Sequence, residues 1–587
     1  MTLTLAAVYA PIGFLGGVTG ALFREFAFTL AGAVIISGVV AVTLSPMMCS
    51  LLLSRQMLHG RFVHLIDRVF SRLAEWYGRK LERSLDYRPV TALFAAAVFA
   101  SLVFMYMNTK SELAPEEDQG VLFALTKAPQ YSNLDYQEAY TDKLDQAFGS
   151  FPETDLRFIL NGRLGPNQGI AGAILKPWAE RSRSAQQLKP LMQGKASTIE
   201  GMNAFVFSLP PLPGSIGGLP VQMVIYATGG YKEIYLTMDK IKAAARKSGL
   251  FMVTDSDLDF NQPTIQVKVD RSKVNELGLT MQSIGDTLAL LVGENYVNRF
   301  NLGGRSYEVI PQVPRAERLT PDTLTQYYVT TPTGQPVPLS NLVSVEMDTQ
   351  PNSLTQYNQL NSATFQAVPM PGVTMGQAVD FLERQTKDLP AGFSHDYLSD
   401  TRQYVREGNQ LTITFVFALI VIFLVLAAQF ESLRDPLVIL VSVPMSICGA
   451  LLPLFFGLAT MNIYTQVGLV TLIGLISKHG ILMVEFANTL QVRENLDRRR
   501  AIEQAARVRL RPILMTTAAM VVGLVPLLIA TGAGAASRFS IGVVVVAGMS
   551  VGTLFTLFVL PAVYTVLAKD HLAATQSSRV REIAQVS

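Results

Sequence analysis

Lys478 interrupts a long apolar run, with a histidine beside it and a glutamate seven positions on, in the stretch GLISKHGILMVEFAN from Gly474 to Asn488. A charge held in hydrocarbon costs roughly 2.5–3.5 kcal/mol on insertion scales, so such residues are rare unless they act on ions or substrates. On a helix Lys478 and Glu485 share a face but lie about 10.5 Å apart in rise, too far to pair unless they snorkel together. His479 points about 100° away and reads as a packing or hydrogen-bonding residue, and Glu485 as an interfacial one. No aspartate falls inside an apolar stretch, which leaves Lys478 without an obvious counter-carboxylate. A buried lysine near carboxylates couples its protonation to its surroundings, the chemistry a proton-driven pump requires. The alternative is a lysine that snorkels or satisfies backbone carbonyls.

The next apolar stretch opens with RLRPILMTTAAM, where Arg509 and Arg511 read as interfacial anchors and Thr516 and Thr517 as hydroxyls able to bond across helices. The elements that must position these residues are membrane spans. The 587-residue chain is 49% hydrophobic and only 16% charged, the balance of a polytopic membrane protein with sizeable extramembrane parts. Eight apolar stretches reach or approach the roughly 20 residues needed to cross a bilayer. They are Met1 to Leu15, Phe26 to Leu53, Val90 to Met107, Leu411 to Phe430, Pro436 to Leu458, Ile463 to Asn488, Pro512 to Ala530 and Ser540 to Ala568. The loops at Arg55 to Arg88 and Arg493 to Arg511 are rich in arginine, which makes them cytoplasmic and places the large region from Asn108 to Tyr404 on the opposite side. Phe62, Leu65, Val69, Leu73 and Trp76 recur at helical spacing in the first basic loop, as in a helix lying on the membrane surface or packed against neighbouring spans. Cys49 and Cys448 both sit in apolar stretches, and the five histidines have no metal-ligand spacing.

The large region alternates strand-like runs (VLFALTKAP, LRFILNG, GIAGAILKP, NAFVFSLP, then PVQMVIYA and LFMVTDSDL) with helical ones, the pattern of ferredoxin-like α+β subdomains. Asp255, Asp257 and Asp259 alternate along one strand, either as a solvated face or as a feature favouring cationic substrates. Pro11, Gly17 and Pro46 recur as Pro526, Gly532 and Pro561, each displaced by 515 positions, with Arg24 and Arg538 one step out of register. Such a parallel repeat implies one whole unit preceded by the tail of another, and hence the C-terminal portion of a longer protein.

Together SELAPEEDQG, YVNRFNLGGRSYEV, GQPVPLSNL, GLISKHGILMVEFAN and RLRPILMTT, in that order, resemble the resistance-nodulation-division (RND) efflux permeases, in the multidrug branch for hydrophobic and amphiphilic compounds. The resemblance implies that Lys478, Arg509 and Thr516 belong to a proton relay whose aspartate pair lies on a span outside this chain. It implies a periplasmic drug cleft lined by Phe158, Leu160, Phe205 and Phe207, with Gly162, Arg163, Gly165 and Gln168 in the loop NGRLGPNQG, the counterpart of a mobile loop between two pockets. Alternating Phe205 and Phe207 are equally what a half-buried strand carries in its core. The loop holds no phenylalanine, Gly172 stands where an aromatic is common in the family, and the absence of methionine there argues against metal export.

The expected architecture is a polytopic α-helical membrane protein of about eight transmembrane helices with a large periplasmic α+β region. Two membrane helices occupy 1–54, a cytoplasmic amphipathic helix 55–89, a third membrane helix 90–108 and porter subdomains 109–262. A docking subdomain spans 263–345, the rest of the porter region 346–404, five membrane helices 405–568 and a cytoplasmic tail 569–587. The expected function is an inner-membrane proton antiporter, needing no cofactor beyond the proton gradient. Its partners are small amphiphiles, membrane lipid, two further copies of itself in a trimer, a periplasmic adaptor and an outer-membrane channel, with no nucleic acid. A truncated, non-transporting fragment or interaction partner of full-length subunits is the alternative. An RND relative in protein translocation or lipid transport would lack the aromatic cleft and SKHGILMVEFAN. No nucleophile–base constellation, phosphate loop or metal cluster supports a hydrolytic enzyme.

Overall fold

A computed structural model describes residues 16–52, 61–165, 167–210 and 218–570, with residue 212 and a few isolated positions before residue 15. Helices α1 (Gly17–Leu52), α2 (Arg61–Asp86) and α3 (Arg88–Asn108) come first. Pro89 in the first turn of α3 lets the chain turn sharply there, because the amide it lacks would have no helical partner.

The first subdomain runs β1 (Val121–Lys127), α4 (Leu134–Gly149), β2 (Thr154–Gly165), β3 (Gln168–Leu175), α5 (Ala185–Ala196) and β4 (Asn203–Ser208). Its antiparallel sheet has the order β2-β3-β1-β4. Leu122, Ala124, Ala171, Ala173, Ala204 and Val206 are buried on one face, with Leu144, Phe148, Leu188 and Met192 of α4 and α5 in the same core. The second subdomain begins with β5 (Val221–Ala227), α6 (Tyr231–Ser248) and β6 (Phe251–Ser256). An insertion then runs from β7 (Gln262–Val269) through α7 (Arg271–Glu276), α8 (Met281–Leu291), the hairpin β8 (Asn298–Leu302) and β9 (Arg305–Val309), and the pair β10 (Tyr328–Thr330) and β11 (Pro336–Pro338), to β12 (Val343–Gln350). Because β12 pairs with β7 along its whole length, the insertion leaves and re-enters at one place. The interrupted sheet resumes with β13 (Thr355–Tyr357), β14 (Leu360–Pro369), α9 (Met375–Thr386) and β15 (Phe393–Tyr397), in the order β13-β14-β5-β15 with β6 also on β14.

The chain re-enters the helical part through α10 (Ser399–Phe430), α11 (Arg434–Leu440), α12 (Ser442–Phe455), α13 (Ile463–Glu494), α14 (Arg498–Leu528) and α15 (Ala535–Leu567). Asn462 starts α13 with a capping box: its side chain accepts from the amides of Tyr464 and Thr465, and Thr465 Oγ1 accepts in return from Asn462 N. Small residues let α15 lie close to its neighbours. A Cβ on Gly552 would come within 2.0 Å of Ser446, and one on Gly548 within 2.2 Å of Leu472. Without a hydrophobic driving force in lipid, such close backbone approach is a main source of helix association.

Among the described residues six helices are long and apolar enough to span a bilayer, against the eight expected: Gly20–Leu52, Pro89–Asn108, Arg434–Phe455, Ile463–Glu494, Arg498–Leu528 and Ala535–Leu567. The expected span Leu411 to Phe430 is a shorter apolar end, Phe415–Phe430, of the long α10, whose start is polar. The expected first span, Met1 to Leu15, falls mostly outside the described residues. The 515-residue repeat has a geometric echo. Gly17 (φ +70°), at the first position of α1, and Gly532 (φ +83°), shortly before α15, both take the left-handed conformation, and each of those helices contains a proline, Pro46 or Pro561.

The basic-loop helix α2 is both packed and exposed. Tyr77, Leu81 and Leu85 join the helical core, and Tyr77 donates its hydroxyl to Leu557 O of α15 at 2.5 Å. Leu65, Val69 and Trp76 stay exposed on another side. Ion pairs Asp67–Arg511 (2.7 Å), Glu82–Arg507 (3.5 Å) and Asp86–Arg499 tie α2 to α14.

Candidate functional site

Lys478 is half-buried in α13 and has no hydrogen bond or ion pair to another described residue. His479 beside it is fully buried. Its Nε2 lies 3.4 Å from Thr517 Oγ1 of α14 and its Nδ1 3.4 Å from Thr553 Oγ1 of α15, with the two hydroxyls 3.3 Å apart. A buried imidazole needs partners, and here they pin α13 to both following helices one residue from the lysine. The Arg509 guanidinium sits 4.5 Å over the Phe486 ring, a cation–π contact, and its Nε is buried without a hydrogen-bond partner among the described residues.

The contacts His479–Thr517 and Phe486–Arg509 set α13 and α14 antiparallel, which brings Thr516 within a turn of the level of Lys478. The Thr516 hydroxyl is not offered across the gap, however. It donates back to Pro512 O and Ile513 O, both at 2.9 Å. Threonine in an apolar helix commonly bonds its own preceding turn. The structure therefore places Lys478, Arg509 and Thr516 on facing helices but does not join them by direct contact. Glu485 is exposed, as an interfacial residue would be.

One acidic residue departs from the sequence reading. The span expected from Pro436 begins at Arg434, so Asp435 lies within it, buried, and accepts from Asn488 Nδ2 at 3.3 Å. Asn488 accepts from the Tyr564 hydroxyl at 2.6 Å, and that hydroxyl accepts from Gln491 Nε2 at 2.7 Å. Asn488 is ten residues from Lys478, about 15 Å of helix, so Asp435 is not the lysine's direct counter-ion. Its signal in the sequence was the Asp-Pro pair, which reads equally well as an ordinary helix start.

The second constellation lies on the first sheet. Register aligns Phe158, Gly172, Phe123 and Phe207 in one row across the four strands, and Leu160, Ile170, Leu125 and Phe205 in the next. All eight are on the face away from α4 and α5, so Phe205 and Phe207 lie opposite the core rather than in it. Phe123 is edge-on to Phe158 (5.7 Å) and stacked on Phe207 (6.1 Å). Gly172 makes this row possible: a Cβ there would fall 2.3 Å from the Phe158 ring, which lies over the bare backbone to reach Phe123. Leu160 is 50% exposed.

A sequence profile of the AcrB/AcrD/AcrF family matches residues 1–568. The chain belongs to that family. This places it among the RND efflux permeases, and its six long apolar helices fit a multi-pass membrane chain. An uncharacterized transporter of Haemophilus influenzae is 45% identical over 578 residues, 97% of this chain and 56% of that protein. The multidrug/solvent efflux pump membrane transporter MepB of Pseudomonas putida is 30% identical over 587 residues, with 97% and 56% covered. The multidrug export protein AcrF of Escherichia coli is 29% identical, with 97% and 57% covered. The chain thus spans a little over half the length of these relatives.

Within this AcrB/AcrD/AcrF-family chain the segment Asn161 to Gly169 forms the end of a hairpin. β2 continues to Gly165 and β3 starts at Gln168, with the register slipping between Asn161 and Gly165. Gly162 takes φ +71° at that slip, and Arg163 beside it is exposed. Asn167 ties the tip to the end of β1, donating to Ala128 O (2.9 Å) and Gln130 Oε1 (3.0 Å). A cleft of about 360 Å³ opens beside it between the two subdomains, lined by Lys127, Phe205, Arg246, Asp255 and Asp259 among others. The three aspartates are not a solvated face. Asp255 pairs with Lys127 of β1 at 2.7 Å, and Asp259 with Lys242 at 3.0 Å. Asp257 turns inward to accept from Thr364 N (2.6 Å), and burial pushes its carboxyl above the usual range. Phe123 is the residue that sequence reasoning missed, since only the strand order shows that it lies between Phe158 and Phe207.

Proposed function

We propose that this chain is part of a proton-driven efflux permease that exports hydrophobic and amphiphilic compounds. Transport would proceed as a homotrimer in the inner membrane, joined to a periplasmic adaptor and an outer-membrane channel. The observation that carries the reading is the pairing of an unpaired, half-buried lysine in an apolar helix with an uncovered apolar face on the first sheet. Lys478 supplies a site where protonation alters the balance of charge between helices, with Arg509 and Thr516 on the facing helix. Phe123, Phe158, Leu160, Phe205 and Phe207 supply large, adaptable contact area for varied apolar ligands, and the hairpin tip at Gly162, Arg163, Gly165 and Gln168 borders it. Both α+β units, with their β-α-β-β-α-β order, are read as ferredoxin-like periplasmic porter subdomains, and the β7–β12 insertion as the docking subdomain.

The alternative reading is a non-transporting fragment or an interaction partner of full-length subunits. Efflux of a fluorescent amphiphilic dye from cells lacking their own pumps separates the two. The chain is expressed alone and with the remaining half of a relative, each with and without Lys478→Ala. Transport by the paired halves that Lys478→Ala abolishes is the expected result. Transport that survives Lys478→Ala overturns the proton-site assignment.

A further inference from the structure

The segment SELAPEEDQG does more than connect α3 to β1. Between Lys110 and Gly120 it touches two membrane helices and both subdomains. At its start it runs beside the turn before α13: Met461 N donates to Lys110 O (2.8 Å), Glu112 N to Met461 O (3.0 Å) and Ile463 N to Leu113 O (3.2 Å). The Glu112 carboxylate accepts from the Thr460 hydroxyl, and Leu113 and Ala114 are buried against Ile463, Val467 and Val470 of α13. On its other side Lys110 Nζ donates to Gly372 O (2.9 Å) and Ser111 bonds Tyr404 (2.7 Å), both in or beside the second subdomain.

At its end two adjacent carboxylates cap two different helices. Glu117 accepts from Ser537 N (2.7 Å), Ala536 N (3.3 Å) and the Ser537 hydroxyl, closing the first turn of α15. Asp118 accepts from Ala185 N (3.0 Å), the first residue of α5, and from Arg181 Nη2 (2.7 Å), and its own carbonyl accepts from Trp178 Nε1 (3.2 Å). A carboxylate on the free amides of a helix start is among the stronger hydrogen-bonding arrangements available, because charge and macrodipole act together. Two residues later Gly120 O accepts from Leu175 N (2.8 Å), and β1 begins.

We infer that Lys110–Gly120 is a strap through which α13 and α15 set the position of the aromatic sheet, with Glu112 and Glu117 as its positioning residues. The inference rests on the proposed role of Lys478, since α13 carries that lysine and is the helix the strap follows. Movement of α13 reaches β1 through the Met461–Ile463 pairing, and movement of α15 reaches α5 and β1 through Glu117 and Asp118.

Hydrogen–deuterium exchange on the full chain in lipid nanodiscs tests it. Glu117→Ala is expected to raise exchange several-fold both at 535–540 and across β1 and β2, with Glu117→Asp restoring the native rates. Glu112→Ala should do the same at 463–466 and in the sheet. Lys478→Ala should alter exchange in α13 and in β2, and the β2 response should vanish in the Glu112→Ala/Glu117→Ala background while the α13 response persists. The strap is overturned if the glutamate variants loosen only their own helix starts, or if β2 answers Lys478→Ala equally with the strap cut. A Lys478→Ala variant that leaves α13 itself unchanged would instead sink the proton-site reading, and the strap would still stand or fall on the glutamate variants.

Discussion

Two sheets that share a four-strand core order lie in one chain, the second with β13 added beside β14, and only one of them keeps a bare face. In the first subdomain β1 alternates strictly between half-exposed and buried positions, whereas in the second β5 is buried at six of its seven. Gln222 and Val224, on the face of β5 away from the α6 and α9 core, are covered as well, with Gln222 N bonded to Thr401 of α10. On β1 the corresponding positions are Phe123, between the rings of Phe158 and Phe207, and Leu125, between Ile170 and Phe205. The same topology therefore serves in one place as a closed body and in the other as a surface for apolar contact.

The comparison breaks most visibly with a charge. Val224→Asp should cost about 3–5 kcal/mol as an unpaired buried carboxylate and leave little folded chain. Leu125→Asp, on the open face, should fold to near-native yield, as judged by size-exclusion profile and thermal melting. Equal loss from both would show that the first sheet is not open in the membrane-embedded protein. Next in size is Phe123→Ala. Each aromatic pair contributes about 0.5–1.5 kcal/mol beyond burial, so dye binding should weaken roughly threefold to tenfold. The loss should differ from one apolar substrate to another, while Lys478→Ala should depress every substrate in the same proportion. Parallel efflux assays with three or more dyes check both.

Gly172→Ala sharpens the picture further, because the added methyl group must displace the Phe158 ring. Once it is displaced, Phe158→Ala should cost less dye affinity than in the native background, by about 0.5–1 kcal/mol of interaction in a double-mutant cycle. Additive effects would place the Phe158 ring elsewhere. The smallest effect concerns Glu153 in the turn just before β2, whose bidentate pairing with Arg183 holds its carboxyl down to about 2. A depressed carboxylate stabilises the fold above its ordinary value near 4.5 and loses that contribution as pH falls toward 2. The melting difference between native chain and Glu153→Gln should accordingly be full at pH 7 and shrink below about pH 4.5.

Period-two alternation in VLFALTK and NAFVFS, and the helical runs between strands, made the elements of both subdomains legible in the sequence. Which face of a sheet is covered was not, because alternation marks two faces without saying what lies over each; Phe205 and Phe207 stood equally well for core or cleft until the strand order was known. Lys478 was legible because a charge in an apolar run is costly wherever it folds. His479 was legible as a hydrogen-bonding residue but not its partners, which come from helices 38 and 74 positions away. The bonding of Thr516 to its own preceding turn was not legible, because a hydroxyl in an apolar helix can bond either its own backbone or a neighbour, and Asp435 was missed because a span boundary shifted by two residues.

Helix α2 meets its neighbours along two edges of different character. Tyr77, Leu81 and Leu85 fix one edge to the core by apolar burial, which salt leaves untouched. The other edge is held to α14 by Asp67, Glu82 and Asp86, each about half exposed, and such pairs contribute at most about 1 kcal/mol and fade as ionic strength rises. The helix is hung like a door, with a greasy hinge on α15 and an ionic catch on α14, and the catch is the side that the salt of the surrounding solution can reach.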